Sequence, residues 1–220
     1  MGNQRQVDVR ILAMELINIR KAVLSDLPYL YEICLKTGNE GKDASALFSD
    51  QYLLGHYYAA PYLVYQSGIC FVTEYEYRPQ GYIVAVPDTV SFRRWMEEQW
   101  LGPLRKQYPR PFAPARSHKE EKIIDYIHER QFPVDSEDKP LLAEYPAHLH
   151  IDLLPSLQGK GQGRALIDSL FSELVQKGVH GLHLGVSSSN PGAVAFYRKM
   201  GFSVLEEQDW GFTMGKLCNG

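Results

Sequence analysis

The feature that most constrains this chain is a glycine-rich turn between a strand pattern and a helix pattern. The apolar strand ends at Pro155, and a helical run follows from Ala165 to Leu174. The turn between them reads Gln158-Gly159-Lys160-Gly161-Gln162-Gly163-Arg164. Such a turn leaves backbone N–H groups unpaired at the positive end of the helix dipole, where a phosphate binds with little desolvation penalty. We therefore expect a phosphorylated cofactor at residues 158 to 164.

Two well-known phosphate loops do not fit these residues. The P-loop requires Gly-x-x-x-x-Gly-Lys-Ser/Thr, and the lysine and the hydroxyl are misplaced here. The dinucleotide fingerprint requires Gly-x-Gly-x-x-Gly near the first strand, whereas Gly159, Gly161 and Gly163 come late in the chain with a different spacing. A solvent-exposed helix entry without a ligand remains the alternative for this loop taken alone.

A second segment, Asn190 to Phe202, has the pattern of a short capped helix. Asn190 and Pro191 are typical of a helix start, and Gly201 is typical of a left-handed helix end. The residues that recur at helical spacing between them are Ala193, Phe196, Tyr197 and Met200. This spacing predicts a helix that packs an aromatic face on a sheet.

Together the two segments resemble the GCN5-related N-acetyltransferase (GNAT) superfamily. Gln158, Gly161 and Gly163 match its Gln/Arg-x-x-Gly-x-Gly/Ala loop, and Asn190 to Phe202 is similar to its Asn-x-x-Ala-x-x-Phe-Tyr-x-x-x-Gly-Phe segment. The resemblance implies an α/β fold with a central mixed, mostly antiparallel sheet flanked by helices. We expect residues 1–220 to form a single domain of this kind.

The resemblance also implies acetyl-CoA (coenzyme A) as the cofactor. The loop amides would cradle its pyrophosphate, the Leu153 amide would donate to the thioester carbonyl, and a splay of strands around Gly185 would admit the pantetheine arm. Asn190 would contact that arm or the reacting region. The implied cofactor-binding residues are Leu153, Leu154, Gln158, Gly159, Lys160, Gly161, Gln162, Gly163, Arg164, Asn190, Ala193, Phe196 and Tyr197.

Tyr197 has a further role by the same resemblance, because its hydroxyl would protonate the departing thiolate. A phenol has a reference pKa of about 10 and so keeps its proton at neutral pH. A core tyrosine whose hydroxyl is satisfied within the protein is the alternative.

The strand before the loop, Ala147 to Pro155, alternates polar and apolar residues. His148, His150 and Asp152 therefore share one face. Burying three polar groups without partners is costly, so part of this face is expected to line a wet site. We expect His148 or His150 to take a proton from the acceptor amine, directly or through water, with Asp152 as the orienting group and Glu74 as another option. A metal site and a merely shared surface are the alternatives.

Several other elements precede that strand. The predicted ones are a strand from Met14 to Lys21, a helix from Ser25 to Gly38, a helix from Ala44 to Ala59 that stops at Pro61, and strands Ile69 to Tyr75 and Gly81 to Val86 joined by a turn at Tyr77 to Gln80. The aromatic cluster of the second helix, Tyr52, His56, Tyr57 and Tyr58, either packs in the core, which we favour, or walls an acceptor pocket.

Residues from about 88 to 146 form an insertion relative to the usual family pattern. Helices are predicted over Ser91 to Gln107 and His118 to Arg130, separated by a proline-rich stretch. The insertion is expected to be either a lid or wall over the acceptor site or an oligomer surface, so a homodimer is one interpretation. Residues 1–13 are polar and are expected to be a loosely held extension.

A narrower resemblance links the chain to the acetyltransferase-like domains attached to O-GlcNAc hydrolases. It rests on the segments Cys34 to Gly38, Gly41 to Ala44 and Tyr145 to Asp152. It implies acceptor-side roles for Asp43 and Asp88, although exposed turn aspartates are the alternative. It also implies that some relatives have lost catalysis.

Composition excludes several classes of protein. A net charge of −3 does not favour a nucleic-acid binder. Cys34, Cys70 and Cys218 are scattered, which argues against a disulfide framework or a zinc site and favours a reducing compartment. No apolar run approaches the ~20 residues that span a membrane. We therefore expect a cytoplasmic N-acetyltransferase acting on a small-molecule amine or on a protein lysine or N-terminal amine. The alternative is a non-catalytic acetyl-CoA-binding or partner-binding module.

Overall fold

One seven-stranded sheet organises the computed structural model, which describes residues 17–110, 115–129 and 140–218. The strand order is β1-β2-β3-β4-β5-β7-β6, and every neighbouring pair is antiparallel except β4 and β5. The strands are β1 Ile17–Lys21, β2 Ile69–Tyr75, β3 Arg78–Val86, β4 Ala147–Leu153, β5 Gly181–Ser187, β6 Ser203–Gln208 and β7 Gly211–Leu217. This confirms the mixed, mostly antiparallel sheet predicted from the sequence.

Helices cover both faces of the sheet. They are α1 Leu27–Thr37, α2 Leu53–Tyr58, α3 Ala60–Val64, α4 Thr89–Trp95, α5 Leu101–Gln107, α6 His118–His128, α7 Pro140–Glu144, α8 Gln162–Gln176 and α9 Pro191–Lys199. Helices α8 and α9 share one apolar core with Ile83 and Leu149. Helices α1 to α6 share the other core with Tyr82 and Val84. The alternation along β3 thus divides the hydrophobic core into two layers. Within the described residues, none of the helices is long and apolar enough to cross a membrane.

The start predicted for the first helix was wrong. Ser25 does not cap it; that residue lies in a short 3₁₀ turn, and α1 begins at Leu27 with Pro28 in its first turn. Gly38 does follow the last residue of α1, with φ −66°. A Cβ atom at Gly38 would lie 2.2 Å from Leu54 Cδ2, so close packing of α1 on α2 explains the glycine.

The helix predicted over Ala44 to Ala59 was also wrong. The chain forms a 3₁₀ turn at Ser45–Leu47, and α2 begins only at Leu53. Pro61 lies in the first turn of α3 rather than ending a helix, because a proline there loses no intrahelical hydrogen bond.

The hairpin between β2 and β3 turns earlier than predicted. Its central residues are Glu76 and Tyr77, with φ of 52° and 63°. Arg78 and Pro79 already pair with β2. Two consecutive residues with positive φ match the twist of a two-residue hairpin, so the strand geometry overrode the turn signal of the proline.

The insertion forms a helical layer against the sheet. Its first part is one helical run in which a π-helical turn at Met96–Trp100 joins α4 to α5. The predicted second helix is confirmed as α6, whose N-terminus is capped by the Ser117 hydroxyl. Arg130, the predicted end of that helix, and residues 1–16 lie outside the described residues.

A buried carboxylate holds α6 in place. Glu120 is fully buried and accepts hydrogen bonds from the Ser49 amide at 2.6 Å, the Ser49 hydroxyl at 2.5 Å and the Arg116 amide at 2.5 Å. These bonds join the insertion to the loop before α2. Glu120 therefore fixes where the insertion sits over the sheet.

We expect Glu120→Ala to lower the free energy of unfolding by about 3 kcal/mol, because it removes the buried charged acceptor of three hydrogen bonds from Ser49 and Arg116. Denaturant unfolding with a linear fit measures the change. Glu121→Ala is the matched control, since its carboxyl is 63% exposed, and it should cost less than about 0.5 kcal/mol. Equal losses in the two variants would contradict this role.

Candidate active site

The parallel strands β4 and β5 separate where the regular pairing of a sheet would continue. Their register contains only Ala147 with Leu182 and His148 with His183, although β4 continues to Leu153 and β5 to Ser187. A gap therefore opens between the carboxyl ends of the two strands. The splay expected near Gly185 is present.

The Leu153 amide faces this gap. The neighbouring Leu154 amide donates to Gln80 O at 2.9 Å, so its N–H points toward β3. Because successive N–H groups of a strand point to opposite sides, that of Leu153 points toward the gap. The Leu153 carbonyl has the same direction and accepts a bond of 2.8 Å from Gln158 Nε2.

The glycine loop leads directly into α8. Gly159 has φ +70° and Gly161 has φ +82°, and a Cβ atom at either position would meet nothing within 4 Å. The left-handed backbone conformation explains the glycines, and the space beside them is open. Gly163 differs, since a Cβ there would lie 3.1 Å from Phe196 Cζ. Gly163 lets α8 pack against α9 and β4.

The N-terminus of α8 has the chemistry of an anion site. No side chain of the described residues caps the helix at Gly161, and the helix is 15 residues long. Its first-turn amides therefore lack intrahelical partners. The side chains of Lys160 and Arg164 are exposed beside it. Gln162 is half-buried and accepts a bond of 3.1 Å from the Thr73 hydroxyl.

Helix α9 lies on the same side of the sheet. Asn190 caps it by accepting a bond of 3.1 Å from the Ala193 amide, and Gly201 follows it with φ +86°, as predicted. Phe196 is half-buried, and its ring centre lies 5.4 Å from that of Tyr197.

Tyr197 is buried, with 8% of its surface exposed. Its hydroxyl makes no hydrogen bond to the described part of the protein. Burial raises the pKa of this phenol, and the nearby Asp152 carboxyl raises it further. The group therefore keeps its proton well above neutral pH.

A cavity of about 990 Å³ crosses the gap between β4 and β5. On one side it reaches Asn190 and Gly185, and on the other it extends under the insertion to Phe92 and Tyr126. The insertion is therefore a wall of this cavity, which was one of the two interpretations of its sequence. Of the aromatic cluster predicted near α2, Tyr57 and Tyr58 line the cavity, whereas Tyr52 and His56 do not.

His148 is held by protein partners at both ring nitrogens. The Thr89 hydroxyl donates its single proton to Pro146 O at 2.6 Å, so its oxygen accepts from His148 Nδ1–H at 2.8 Å. His148 Nε2 is then an acceptor and receives the Tyr62 hydroxyl at 2.8 Å. Burial lowers the pKa of His148 well below its usual value. This network favours a structural role for His148 over the predicted base role.

His150 has a different environment on the same face. Its ring makes no hydrogen bond within the described residues and contacts the rings of Tyr58 at 5.0 Å and Tyr62 at 5.3 Å. Desolvation, followed by the nearby His183, lowers the pKa of His150 to about 4. The side chain is half-buried and lines the cavity. Of the two predicted histidines, His150 is the one open to a ligand.

Asp152 does not orient a histidine. Its carboxylate accepts a bond of 2.5 Å from the Tyr82 hydroxyl, which lies directly opposite on β3. Burial raises the pKa of Asp152. Among the described residues, no three metal-binding side chains lie close enough together to hold a metal ion.

The remaining predicted site residues have local partners. Asp43 is exposed and pairs with Lys36 at 2.8 Å, and Asp88 caps α4 through the Ser91 amide at 2.6 Å. Glu74 pairs with Arg20 at 2.7 Å. None of the three acidic side chains is among the residues that line the cavity. Sequence reasoning missed His183, which lines the cavity and whose Nδ1–H donates to Tyr145 O at 2.7 Å.

The neutral histidines predict a loss of stability in acid. The folded-state pKa of His150 is about 4 and its unfolded value is about 6.5, so the unfolded state binds more protons between these limits. The stability that neutral His150 contributes is fully present above pH 6.5 and is lost as the pH falls toward 4. We expect unfolding measurements to show that His150→Gln removes about 2 kcal/mol of the loss between pH 7 and pH 5. His118→Gln is the control, because that ring is 89% exposed and should leave the slope unchanged.

Comparison with known proteins agrees with this geometry. The family model described as Acetyltransferase (GNAT) family matches residues 41–202. The crystal structure of SsHAT is 31% identical, with a TM-score of 0.82 over 93% of this chain and 99% of that chain. The crystal structure of PaiA N-acetyltransferase from Thermoplasma acidophilum in complex with coenzyme A is 17% identical, with a TM-score of 0.56 over 91% of this chain and 98% of that chain.

A curated relative matches a shorter part of the chain. The ribosomal protein bS18-alanine N-acetyltransferase of Escherichia coli (strain K12) is 45% identical over 49 residues, which are 22% of this chain and 33% of that protein. The chain thus spans about a third of the length of this relative.

Proposed function

The chain belongs to the GNAT family of acetyltransferases, and on that premise we propose that it transfers an acetyl group from acetyl-CoA to a primary amine. The observation that carries the proposal is the gap between β4 and β5, which joins the Asn190 side of the sheet to the cavity under the insertion. Two substrates approaching from opposite faces of the sheet would meet in this gap. The proposed reaction is direct transfer in a ternary complex.

The glycine loop fits the pyrophosphate of coenzyme A. Gly159 and Gly161 leave the backbone open on the side where a Cβ atom would stand, and α8 begins at the same point. Lys160 and Arg164 add positive charge at this helix end. Acetyl-CoA supplies the acetyl group as a thioester, and the amine forms the new C–N bond as the C–S bond breaks.

Two groups of the chain act on the reacting atoms in this proposal. The Leu153 amide donates to the carbonyl oxygen, where negative charge develops in the transition state. Tyr197 donates its proton to the departing sulfur. The burial of its ring supports this role, because a raised pKa keeps the hydroxyl protonated throughout the physiological range.

The amine must lose a proton before or during attack. His150 is neutral at pH 7, since its pKa is about 4. It can accept a hydrogen bond from the amine or from water, but it is a weak base. Asp152 is half-buried and near Tyr197, with a raised pKa. We infer that water relays the proton past His150 and Asp152 rather than one side chain acting alone.

Membership of the family supports an amine as the acceptor but does not specify which amine. Whether the amine belongs to a small molecule or to a protein lysine or N-terminus is tested below, and the name of the E. coli relative makes an alanine N-terminus one of the cases to include. A cytoplasmic location, a homodimer and the narrower O-GlcNAc hydrolase-like subgroup stay predictions from the sequence.

The first experiment is to follow release of free CoA from acetyl-CoA across a panel of amines. The panel contains polyamines, amino acids, arylalkylamines, lysine peptides and peptides with an N-terminal alanine. Turnover that depends on one class of amine supports the proposal. Binding of acetyl-CoA without turnover of any amine would instead favour the non-catalytic module.

A further inference from the structure

Aromatic rings line the part of the cavity beside His150. Tyr58 contacts His150 at 5.0 Å between ring centres, Tyr57 contacts Tyr58 at 4.9 Å, and Tyr126 of the insertion contacts Tyr57 at 5.7 Å. These four residues are half-buried and line the cavity, so each keeps part of its surface open to it. They form a continuous path of rings from β4 to the insertion, which we call the ring path.

Apolar side chains complete the wall around the ring path. Those from the insertion are Phe92, Met96, Leu101 and Ile123, and those from the helices before it and their loop are Phe48, Leu54 and Tyr62. The volume of about 990 Å³ lies at the upper end of the range that holds small molecules. A wall of this composition gains most from an apolar or aromatic ligand.

Most carboxylates that line the cavity are already paired within the protein. Glu97 binds Arg105 at 2.8 Å, Glu40 lies 3.6 Å from Lys119, and Glu129 lies 3.8 Å from Arg110. Glu206, the fourth among the described lining residues, is on the exposed strand β6. A polyamine would have to bury its additional ammonium groups without a carboxylate reserved for them, which is costly.

The cations of the cavity act in the same direction. Arg93 lines it, and its charge adds to burial, the main cause, in lowering the pKa of His148 and His183. Lys122 places its ammonium 5.6 Å from the centre of the Tyr126 ring. The Tyr126 end of the ring path therefore already faces a cation and is better suited to a neutral group.

From these contacts we infer that the acceptor is a small primary amine carried by one aromatic ring, an arylalkylamine. Its ring lies in the cavity against the open faces of Tyr57 and Tyr126, and its amine reaches past His150 to the gap between β4 and β5. This inference rests on the proposed function and specifies its substrate class. The single amine has no second charge to bury, and the ring replaces water along the ring path.

The test compares amines that differ in one property at a time. 2-Phenylethylamine and tryptamine are compared with hexylamine, spermidine and an N-terminal alanine peptide, with release of CoA as the readout. We expect kcat/KM to be about fivefold higher for the arylalkylamines than for hexylamine, since aromatic pairs contribute about 1 kcal/mol beyond their area. A higher value for hexylamine, spermidine or the peptide would overturn the inference while leaving the acetyltransferase proposal standing. Absence of turnover with every amine would overturn both.

A variant of the ring path tests the location. Tyr126→Leu should raise KM for 2-phenylethylamine by about threefold to tenfold, with kcat and the KM for acetyl-CoA nearly unchanged. Tyr126→Phe should retain the native KM, because the ring and not the hydroxyl makes the contact. Tyr77→Leu is the matched control at a residue that is 91% exposed in the β2–β3 hairpin. Equal KM values for the native chain and Tyr126→Leu would place the ring elsewhere and overturn the inference.

Discussion

Replacing Tyr197 with phenylalanine is expected to lower kcat by about 100-fold or more, while the Kd for acetyl-CoA stays within about twofold of the native value. The ring is buried and packs on Phe202 at 5.6 Å, and phenylalanine preserves that contact. The hydroxyl makes no hydrogen bond to the described residues, so its removal strands no partner. The change therefore removes the proposed proton donor to the thiolate and little else.

Steady-state rates of CoA release and calorimetric titration with acetyl-CoA measure the two quantities separately. Tyr75→Phe is the control, because Tyr75 is a half-buried tyrosine on β2, which β3 and β4 separate from the gap. A large loss of acetyl-CoA affinity in Tyr197→Phe, or an unchanged kcat, would show that the hydroxyl does not act as the acid.

The pH profile gives a second check on the same group. Burial and the Asp152 carboxyl raise the pKa of Tyr197, so the hydroxyl stays protonated as pH rises through 9. We therefore expect the pH profiles of kcat for the native chain and for Tyr197→Phe to have the same shape up to pH 9. A basic limb that disappears in the variant would mean that the phenol ionises near its usual pKa of about 10 or below.

The elements around the glycine loop were predictable because their signals are local. Strand β4, the loop, α8 and α9 are each indicated by hydrophobic period, helix caps or glycines within a short stretch, and all four occur where expected. The cap at Asn190 and the left-handed Gly201 follow from backbone chemistry alone. Family resemblance then added the meaning of the loop.

The division of roles on β4 was not predictable in this way. Alternation places His148 and His150 on one face and does not distinguish their roles. The difference between them arises from the hydrogen bonds of His148 with Tyr62 and Thr89, which come from distant parts of the chain. The pairing of Asp152 with Tyr82 is likewise a property of the β3–β4 register. His183 carried no local signal, since it matters through its position opposite His148 on a parallel strand.

The errors in the first third of the chain have a related cause. The aromatic run after Ala44 has a helical composition, yet loop contacts to the insertion, including those of Glu120 with Ser49, delay the helix until Leu53. Propensity is a weak prior that tertiary contacts override. The same insertion forms one wall of the cavity, so the segment that departs from the family pattern also lines the proposed acceptor side.

Replacing Gly161 with valine is expected to weaken acetyl-CoA binding by about 100-fold or more. The residue has φ +82° with open space beside it, and it is followed at once by the first turn of α8. A branched side chain would fill the space where the pyrophosphate approaches the amides. Loss of two hydrogen bonds to a charged group, each about 1.5–3 kcal/mol, accounts for that factor.

The strain of the substitution is separable from this effect. Gly178 follows the other end of α8 with φ +71° and likewise has nothing within 4 Å of a Cβ position. Gly178→Val should therefore cost a similar 1–3 kcal/mol of stability, roughly, by thermal or denaturant unfolding. Only Gly161→Val should lose affinity in titration with acetyl-CoA. If both variants retained native affinity, the loop would not be the pyrophosphate site, and if both lost it equally, strain in α8 and not access to the amides would be the cause.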